Sequence, residues 1–386
     1  MNLYRQDDVS KTFLVGDLHL GVKNNSTTWL KIAEEYLTKT FINQIIEKKV
    51  NPDKDILILE GDIFHNRQLI DVIVQQTAIR IFLKLCEYFS KIYIIAGNHD
   101  VYYKDNNSVT SLTALKTLID VYHEYEGKII ILTEPSYLVI NKKFKYLMLP
   151  WEHDNVKLAQ TIDQNKDKCD YIICHADVKG AKFNRFVKVE SGLDAKGLSA
   201  YKKVYAGHIH IRQDFNKSGA MISYTGTPYQ MDRGDVGNKK GFDILEYHDT
   251  EVIETFVENV TSPRFVKYNI YKLLDATIDE IKLAFNNNFV DISVDSNIST
   301  KFNPTSFLEL IGDTNAKSIE FTNYTSESDI KVSDLALTIN EDELTLDNIF
   351  EIYCDQKSYD KLQRSLISNQ FKVYLKEVRN AQKTEL

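Results

Sequence analysis

Four cysteines (Cys86, Cys169, Cys174 and Cys354) are scattered through 386 residues with no C-x-x-C pair among them. The chain therefore has material for neither a disulfide framework nor a zinc knuckle. No apolar run approaches the roughly 18 residues that a membrane span needs. The opening Met1-Asn2-Leu3-Tyr4-Arg5-Gln6-Asp7-Asp8 lacks the apolar centre of a secretory signal. The expected location is the cytoplasm, with no membrane contact. Basic charge is also short: a formal net charge of −8 excludes general attraction to nucleic acid by phosphate neutralisation. The shortage is local, however. His175 to Asp243 carry 12 Lys and Arg against 7 Asp and Glu, a local +5 that leaves −13 for the rest. Such a strip can still hold a polyanion where a cationic site adjoins it.

What is present is an ordinary globular composition, 43% apolar and 26% charged, in a chain long enough for one large domain and one or two smaller ones. Ile56-Leu57-Ile58-Leu59-Glu60 reads as a buried strand, and Gly61-Asp62-Ile63-Phe64-His65 breaks out of it. Glycine allows the sharp turn, so Asp62 stands at the strand's C-terminal end, where open α/β sheets place their chemistry. Thr12 to Gly16 and Ile92 to Ala96 are further strands. Between the three, Trp29, Ile32, Ala33, Tyr36, Leu37, Phe41, Ile42 and Ile45, then Val72, Ile73, Ile79, Phe82, Leu83 and Cys86, recur at helical spacing. This alternation marks a parallel sheet with helical crossovers.

From Ile129 onward, strand-like runs crowd together at 129–132, 137–140, 146–149, 171–174, 204–206, 221–224 and 242–247. The expected fold class is α/β: a two-sheet sandwich flanked by helices, over residues 1–261. Ser262-Pro263-Arg264 reads as a linker. A small α+β domain (262–330) follows, with strands at 265–271, 289–294 and 318–322 and helices at 277–285 and 305–310. In 331–386, Leu346, Ile349, Phe350, Tyr353, Leu362, Leu366 and Ile367 suggest a helical pair with one apolar face, which needs a partner.

Nine histidines occur, and six of them (His19, His65, His99, His175, His208 and His210) fall at or just after expected strand ends. A lone histidine there is usually structural. Six sharing one edge with Asp17, Asp62 and Asn98 make a ligand set for two metal ions. Mixed imidazole, carboxylate and amide donors suit manganese, iron or zinc. Two cations side by side need a shared carboxylate, for which Asp62 is the natural choice.

The motifs Asp17-Leu18-His19, Gly61-Asp62-Ile63-Phe64-His65, Gly97-Asn98-His99-Asp100, Cys174-His175-Ala176-Asp177 and Gly207-His208-Ile209-His210 together resemble the signatures of calcineurin-like metallophosphoesterases. Within that superfamily the chain resembles the SbcD-type nuclease subunits of double-strand-break repair complexes, especially those of tailed phages. Tyr224-Thr225-Gly226-Thr227-Pro228 and Lys240-Gly241-Phe242 extend the likeness, which covers about Phe13 to Tyr247. The resemblance implies one metal on Asp17, His19, Asp62 and His210 and the other on Asp62, Asn98, His175 and His208, with Mn2+ the expected ion. It gives His99 the role of stabilising the transition state or protonating the leaving oxygen, a role suited to imidazole. Asp100 is read as orienting that ring, and His65, with the nearby Arg67, as favouring a DNA phosphodiester.

The resemblance further implies a homodimer and an SMC-like ABC ATPase partner, docked on the C-terminal helices. Lys179, Lys182, Arg185 and Lys188, interleaved with Phe183 and Phe186, read equally as a strip that follows a DNA backbone and stacks on frayed bases or as a solvated loop. Arg233-Gly234-Asp235 reads as a polar loop, and Trp151, in Pro150-Trp151-Glu152-His153 after a strand, as a plug in the core or else as a residue reaching toward substrate. The competing activity is that of a phosphatase or cyclic-nucleotide phosphodiesterase on the same fold.

Overall fold

In the computed structural model, which describes residues 1–183, 187–295 and 302–324, every side chain of Ile56–Leu59 is fully buried. Two separate cores cover it. Leu57 and Leu59 join one that includes Trp29, Tyr36, Phe41, Ala78 and Phe82 from flanking helices, whereas Ile56 and Ile58 meet Tyr146, Met148 and Ile173 of a second sheet. A strand covered on both faces has no polar side, which is why its sequence is apolar throughout.

One sheet has the order β1 (Asn2–Gln6), β6 (Ser136–Ile140), β7 (Phe144–Leu149), β8 (Tyr171–His175), β9 (Lys203–Gly207), β11 (Ala220–Tyr224), β10 (Gln213–Lys217). The other runs β13 (Glu251–Glu258), β12 (Gly241–His248), β2 (Lys11–Val15), β3 (Ile56–Leu59), β4 (Lys91–Ile95), β5 (Ile129–Leu132). Helices Thr27–Glu35, Phe41–Glu47 and Val72–Cys86 supply apolar residues to the outer face of the second sheet. Asn155–Asp163 sends Leu158 and Ile162 to the outer face of the first. The two-sheet sandwich flanked by helices expected from the sequence is the one formed. Strands β2 to β5 run parallel, as do β7 to β9. Their C-terminal ends therefore gather on common edges.

Three strands went unread in the sequence: β1, β10 and β13. Each lies at the edge of its sheet. An edge strand such as Gln213-Asp214-Phe215-Asn216-Lys217 is only partly covered, so it carries no apolar run. Among the described residues no helix is long and apolar enough to cross a membrane.

Beyond Ser262, β14 (Phe265–Asn269), β15 (Phe289–Asp295) and β16 (Ser318–Tyr324) form a parallel sheet with a core of its own, where Ile281, Phe285, Phe307 and Ile311 pack with Val290 and Ile292. Its helices start where local chemistry says they should: Thr277 and Glu280 form a capping box, and Asn303 caps a helix opened by Pro304. Tyr271 was expected in a strand. Instead the Asn269 side chain accepts from the Tyr271 N–H and begins the helix Ile270–Leu274.

This small sheet is held to the sandwich by Phe265 and Phe289, stacked on Trp29 at 5.8 and 4.8 Å between ring centres. Arg233 adds ion pairs to Asp291 (2.8 Å) and Glu320 (2.5 Å). Arg233-Gly234-Asp235 is thus a structural turn rather than a mere polar loop. The helical pair expected at 346–367 and the whole of 331–386 lie outside the described residues.

Candidate metal centre

The loops after β2 and β3 are zipped together before any side chain is considered. Asp62 O accepts from the N–H groups of Leu18 (3.1 Å) and His19 (2.9 Å), Ile63 O from Leu20 N (2.8 Å), and Leu20 O from His65 N (2.9 Å). Three of the expected ligands take left-handed backbone conformations: His19 at φ 46°, Asp62 at φ 49° and His208 at φ 89°. Non-glycine residues rarely adopt such angles, and they concentrate where function demands them. Close approach explains the glycines of the motifs. A Cβ at Gly61, itself at φ 116°, would sit 2.3 Å from His175 Nδ1, and one at Gly97 would sit 2.1 Å from Asp62 Oδ1.

Asp62 stands at the centre of the cluster. Its Oδ2 lies 3.7 Å from His19 Nε2, and its Oδ1 lies 3.4 Å from His175 Nε2 while accepting from the His99 N–H at 2.9 Å. On the Oδ2 side, His19 Nε2 and His210 Nε2 are 2.9 Å apart. On the Oδ1 side, Asn98 Oδ1 lies 3.0 Å from both His175 Nε2 and His208 Nδ1, and those two nitrogens are 3.2 Å apart. Asp17 accepts from the His208 N–H at 3.1 Å and lies 3.5 Å from His175 Nδ1. All seven residues read as metal ligands are therefore brought together.

The donor set fits divalent cations. Two ligand atoms each about 2.1 Å from one ion at right angles lie about 3 Å apart, which is the spacing of the facing imidazole nitrogens. Two groups of convergent ligand atoms stand out among the described residues: His19, His65 and His99, and Asp62, His175 and His208.

Burial works against the Asp62 carboxylate, yet His175, His19 and His99 hold it well below the usual range. Burial likewise opposes charge on His175, but Asp62 and Asp17 outweigh it and raise that ring to about 10. Burial and then His210 lower His19 well below the imidazole range, and burial and then His99 lower His65 to about 4.

Asp100 requires a correction. Its carboxylate is fully buried and accepts from the backbone N–H groups of Ile63 (3.0 Å), Phe64 (3.2 Å) and Gly97 (3.0 Å). It ties the β3 loop to the β4 loop instead of orienting His99. The His99 ring is held by the His65 carbonyl, 2.6 Å from its Nδ1. The strip read as a DNA track is divided: Arg185 and Phe186 lie outside the described residues. The Lys179 carbonyl accepts from Lys217 Nζ at 2.9 Å, and Lys182 bridges to Lys188.

Several contacts around the site are not fixed by the sequence. Trp151 is only half-buried, with its indole 4.9 Å from the His208 ring, so it walls the site as well as packing the core. Asp177 Oδ2 lies 3.4 Å from His208 Nε2. Buried Lys240, paired with Asp235, donates to the His210 carbonyl at 2.8 Å, and Tyr229 donates to the Leu18 carbonyl at 2.6 Å. Asp177 and Lys240 sit inside the quoted motifs. Their contacts depend on segments distant in sequence, so spacing alone did not reveal them.

Comparison with known proteins agrees with this geometry. The family described as calcineurin-like phosphoesterase matches residues 10–212. Exonuclease subunit 1 of Enterobacteria phage T4 is 27% identical over 268 residues, covering 67% of this chain and 70% of that protein. A subunit of the nuclease SbcCD of Staphylococcus epidermidis is 23% identical over 266 residues (62% and 67%). The DNA double-strand break repair protein Mre11 of Methanocaldococcus jannaschii is 22% identical over 273 residues (66% and 68%).

Proposed function

The chain belongs to the calcineurin-like phosphoesterase family, and on that premise we propose that it is a metal-dependent DNA nuclease, the hydrolytic subunit of a recombination and double-strand-break repair complex. The observation that carries this reading is Asp62, whose two carboxylate oxygens face two separate nests of imidazole nitrogens. Two of the relatives are named as nuclease subunits and the third as a DNA double-strand break repair protein, which supports DNA as the substrate class.

In this reading Asp17, His19, Asp62 and His210 would hold one cation, and Asp62, Asn98, His175 and His208 would hold the other, with Mn2+ as the expected ion. When bound, the pair lowers the pKa of water and neutralises charge gathering on the phosphoryl oxygens. His99 donates a proton from Nε2 to the leaving oxygen. The neutral ring that results keeps its remaining proton on Nδ1, where the His65 carbonyl accepts it at 2.6 Å. His65 acts through that carbonyl, and Asp100 by fixing the two loops.

The small domain, residues 262–330 in this division, positions DNA over the centre. Residues 331–386 dock an SMC-like ABC ATPase. A homodimer is supported by exposed Leu69, Val72 and Ile73 at the start of the helix Val72–Cys86 and by exposed Tyr102 and Tyr103. The purified chain with manganese should degrade end-labelled duplex or single-stranded DNA. Asp62→Ala should lose bound metal and activity together, while His99→Ala keeps its metal and loses turnover by about a hundredfold or more. Hydrolysis of phosphoprotein without any cutting of DNA would refute the reading.

A further inference from the structure

Three imidazoles of the centre differ in which nitrogen faces inward. His175 turns Nε2 toward Asp62 and Asn98, and its Nδ1 lies 2.8 Å from the Glu60 carbonyl. His19 turns Nε2 toward Asp62 and His210, and its Nδ1 lies 3.3 Å from His65 Nδ1. His208 is reversed. Its Nδ1 points into the nest of Asn98 and His175, while its Nε2 faces Asp177 Oδ2 at 3.4 Å.

Asp177 is held in place for this contact. The buried Tyr224 hydroxyl donates to the Ala176 carbonyl at 2.8 Å and accepts from the Val178 N–H at 2.9 Å, which fixes the chain on both sides of Asp177. The Asp177 carbonyl accepts from the Leu193 N–H at 2.8 Å. Gly192 presses close, since a Cβ there would sit 2.6 Å from Asp177 Cβ. The Trp151 indole lies against the His208 ring, 4.9 Å between centres. The side chains of His208 and Asp177 are 16% and 22% exposed, so water and salt screen their attraction only in part.

Resting on the two-cation reading above, we infer that Asp177 is the positioning residue of His208: its carboxylate accepts from the ring N–H at Nε2 and so leaves the Nδ1 lone pair for a divalent cation. A neutral imidazole carries one N–H and one bare nitrogen, and the bond made at one decides the role of the other. A carboxylate in that place also makes the ring a stronger donor to metal. Asp177 is not among the seven residues that would touch the ions, so its effect on metal binding passes through the His208 ring. The reversal of His208 relative to His19 and His175 is what this carboxylate maintains.

The test counts Mn2+ bound by the full chain without DNA, titrated through the electron paramagnetic resonance of the free ion, beside urea unfolding of each metal-free variant. The wild type should bind two ions. Asp177→Asn keeps an acceptor oxygen and loses the charge, so it should weaken one ion about tenfold, and Asp177→Ala should weaken the same ion about a hundredfold. The other ion and the urea midpoints should match the wild type. In a His208→Ala background, Asp177→Ala should cause no further loss, because both substitutions act on one ring. A folding defect produces neither this non-additivity nor the selective loss of one ion. Unchanged Mn2+ affinity in Asp177→Ala overturns the assignment. So does a further loss in the His208→Ala background, which puts the carboxylate on the ion itself, and so does weakening of both ions with a lower urea midpoint. A wild-type chain that binds no Mn2+ overturns the two-cation reading and takes this inference with it.

Discussion

The edge that gathers Asp17, Asp62, Asn98, His175 and His208 and the small sheet β14 to β16 are both built from parallel strands beside helices, yet they are put together on different terms. In the small sheet, helix starts are set by neighbours in sequence, such as Thr277 with Glu280 and Asn303 with Pro304. At the metal centre almost every contact joins segments far apart: His19 with His210, Asp62 with His175, Asp100 with Ile63. Left-handed His19, Asp62 and His208 and buried charge are held there only because the surrounding sandwich is rigid. Local chemistry builds the support, and long-range packing builds the reactive edge.

The sharpest test of this contrast is a pair of glycine substitutions. Gly97→Ala drives a methyl group to 2.1 Å from Asp62 Oδ1, whereas Gly312→Ala, at φ 64°, meets only Lys282 Nζ at 3.8 Å. The first should cost about 3 kcal/mol or more through overpacking and abolish metal retention. The second, at φ 64° and ψ −157°, should cost about 2 kcal/mol of backbone strain and leave metal content intact. Urea unfolding and metal analysis of both variants decide the matter, and equal losses would erase the distinction.

A second test uses pH. Burial, opposed by Arg212 2.5 Å away, raises buried Asp243 to about 6. The folded chain therefore takes up this proton between about pH 6 and 4, before the unfolded chain does. Stability from this group rises as pH falls through that window and is lost as pH climbs back through about 6, by about 3 kcal/mol in all. Asp243→Asn should flatten that limb of the stability curve.

Arg233→Ala removes the ion pairs to Asp291 and Glu320. Because the guanidinium is half exposed, the expected loss is about 1 kcal/mol, seen as faster amide exchange in β15 and β16. Hydrolysis of bis(4-nitrophenyl) phosphate should be spared while DNA cutting declines. Thr277→Ala should cost about 1 kcal/mol through its lost cap, visible in the thermal midpoint and absent from turnover.

Much of the larger domain was legible because its signals are local or periodic. Ile56 to Leu59 reads as a strand covered on both faces, and Val72–Cys86 was legible as a helix. Its buried face is Val74, Ala78, Ile81, Phe82, Leu85 and Cys86, whereas Val72 and Ile73 of the expected stripe are exposed because they stand in the first turn, beyond the cover of the sandwich. The gathering of the seven residues read as ligands was legible because each stands at or just after the end of a strand and carries a side chain able to bind metal. Edge strands β1, β10 and β13 were not, since one free edge removes the apolar run. Nor were the contacts of Trp151 with His208, Lys240 with His210 and Asp100 with the β3 loop. Nothing in the spacing of those residues joins them.

By itself, the sequence determined the strand ends, the helix caps and the inventory of imidazole and carboxylate groups, because these follow from torsional preference and from periodicity along one segment. Only the tertiary structure decided that Asp62 faces His19 with one oxygen and His175 with the other. It also decided that Asp100 secures loops instead of a ring. Which donors converge depends on how separate segments approach in space, and the chain's own order does not contain that information.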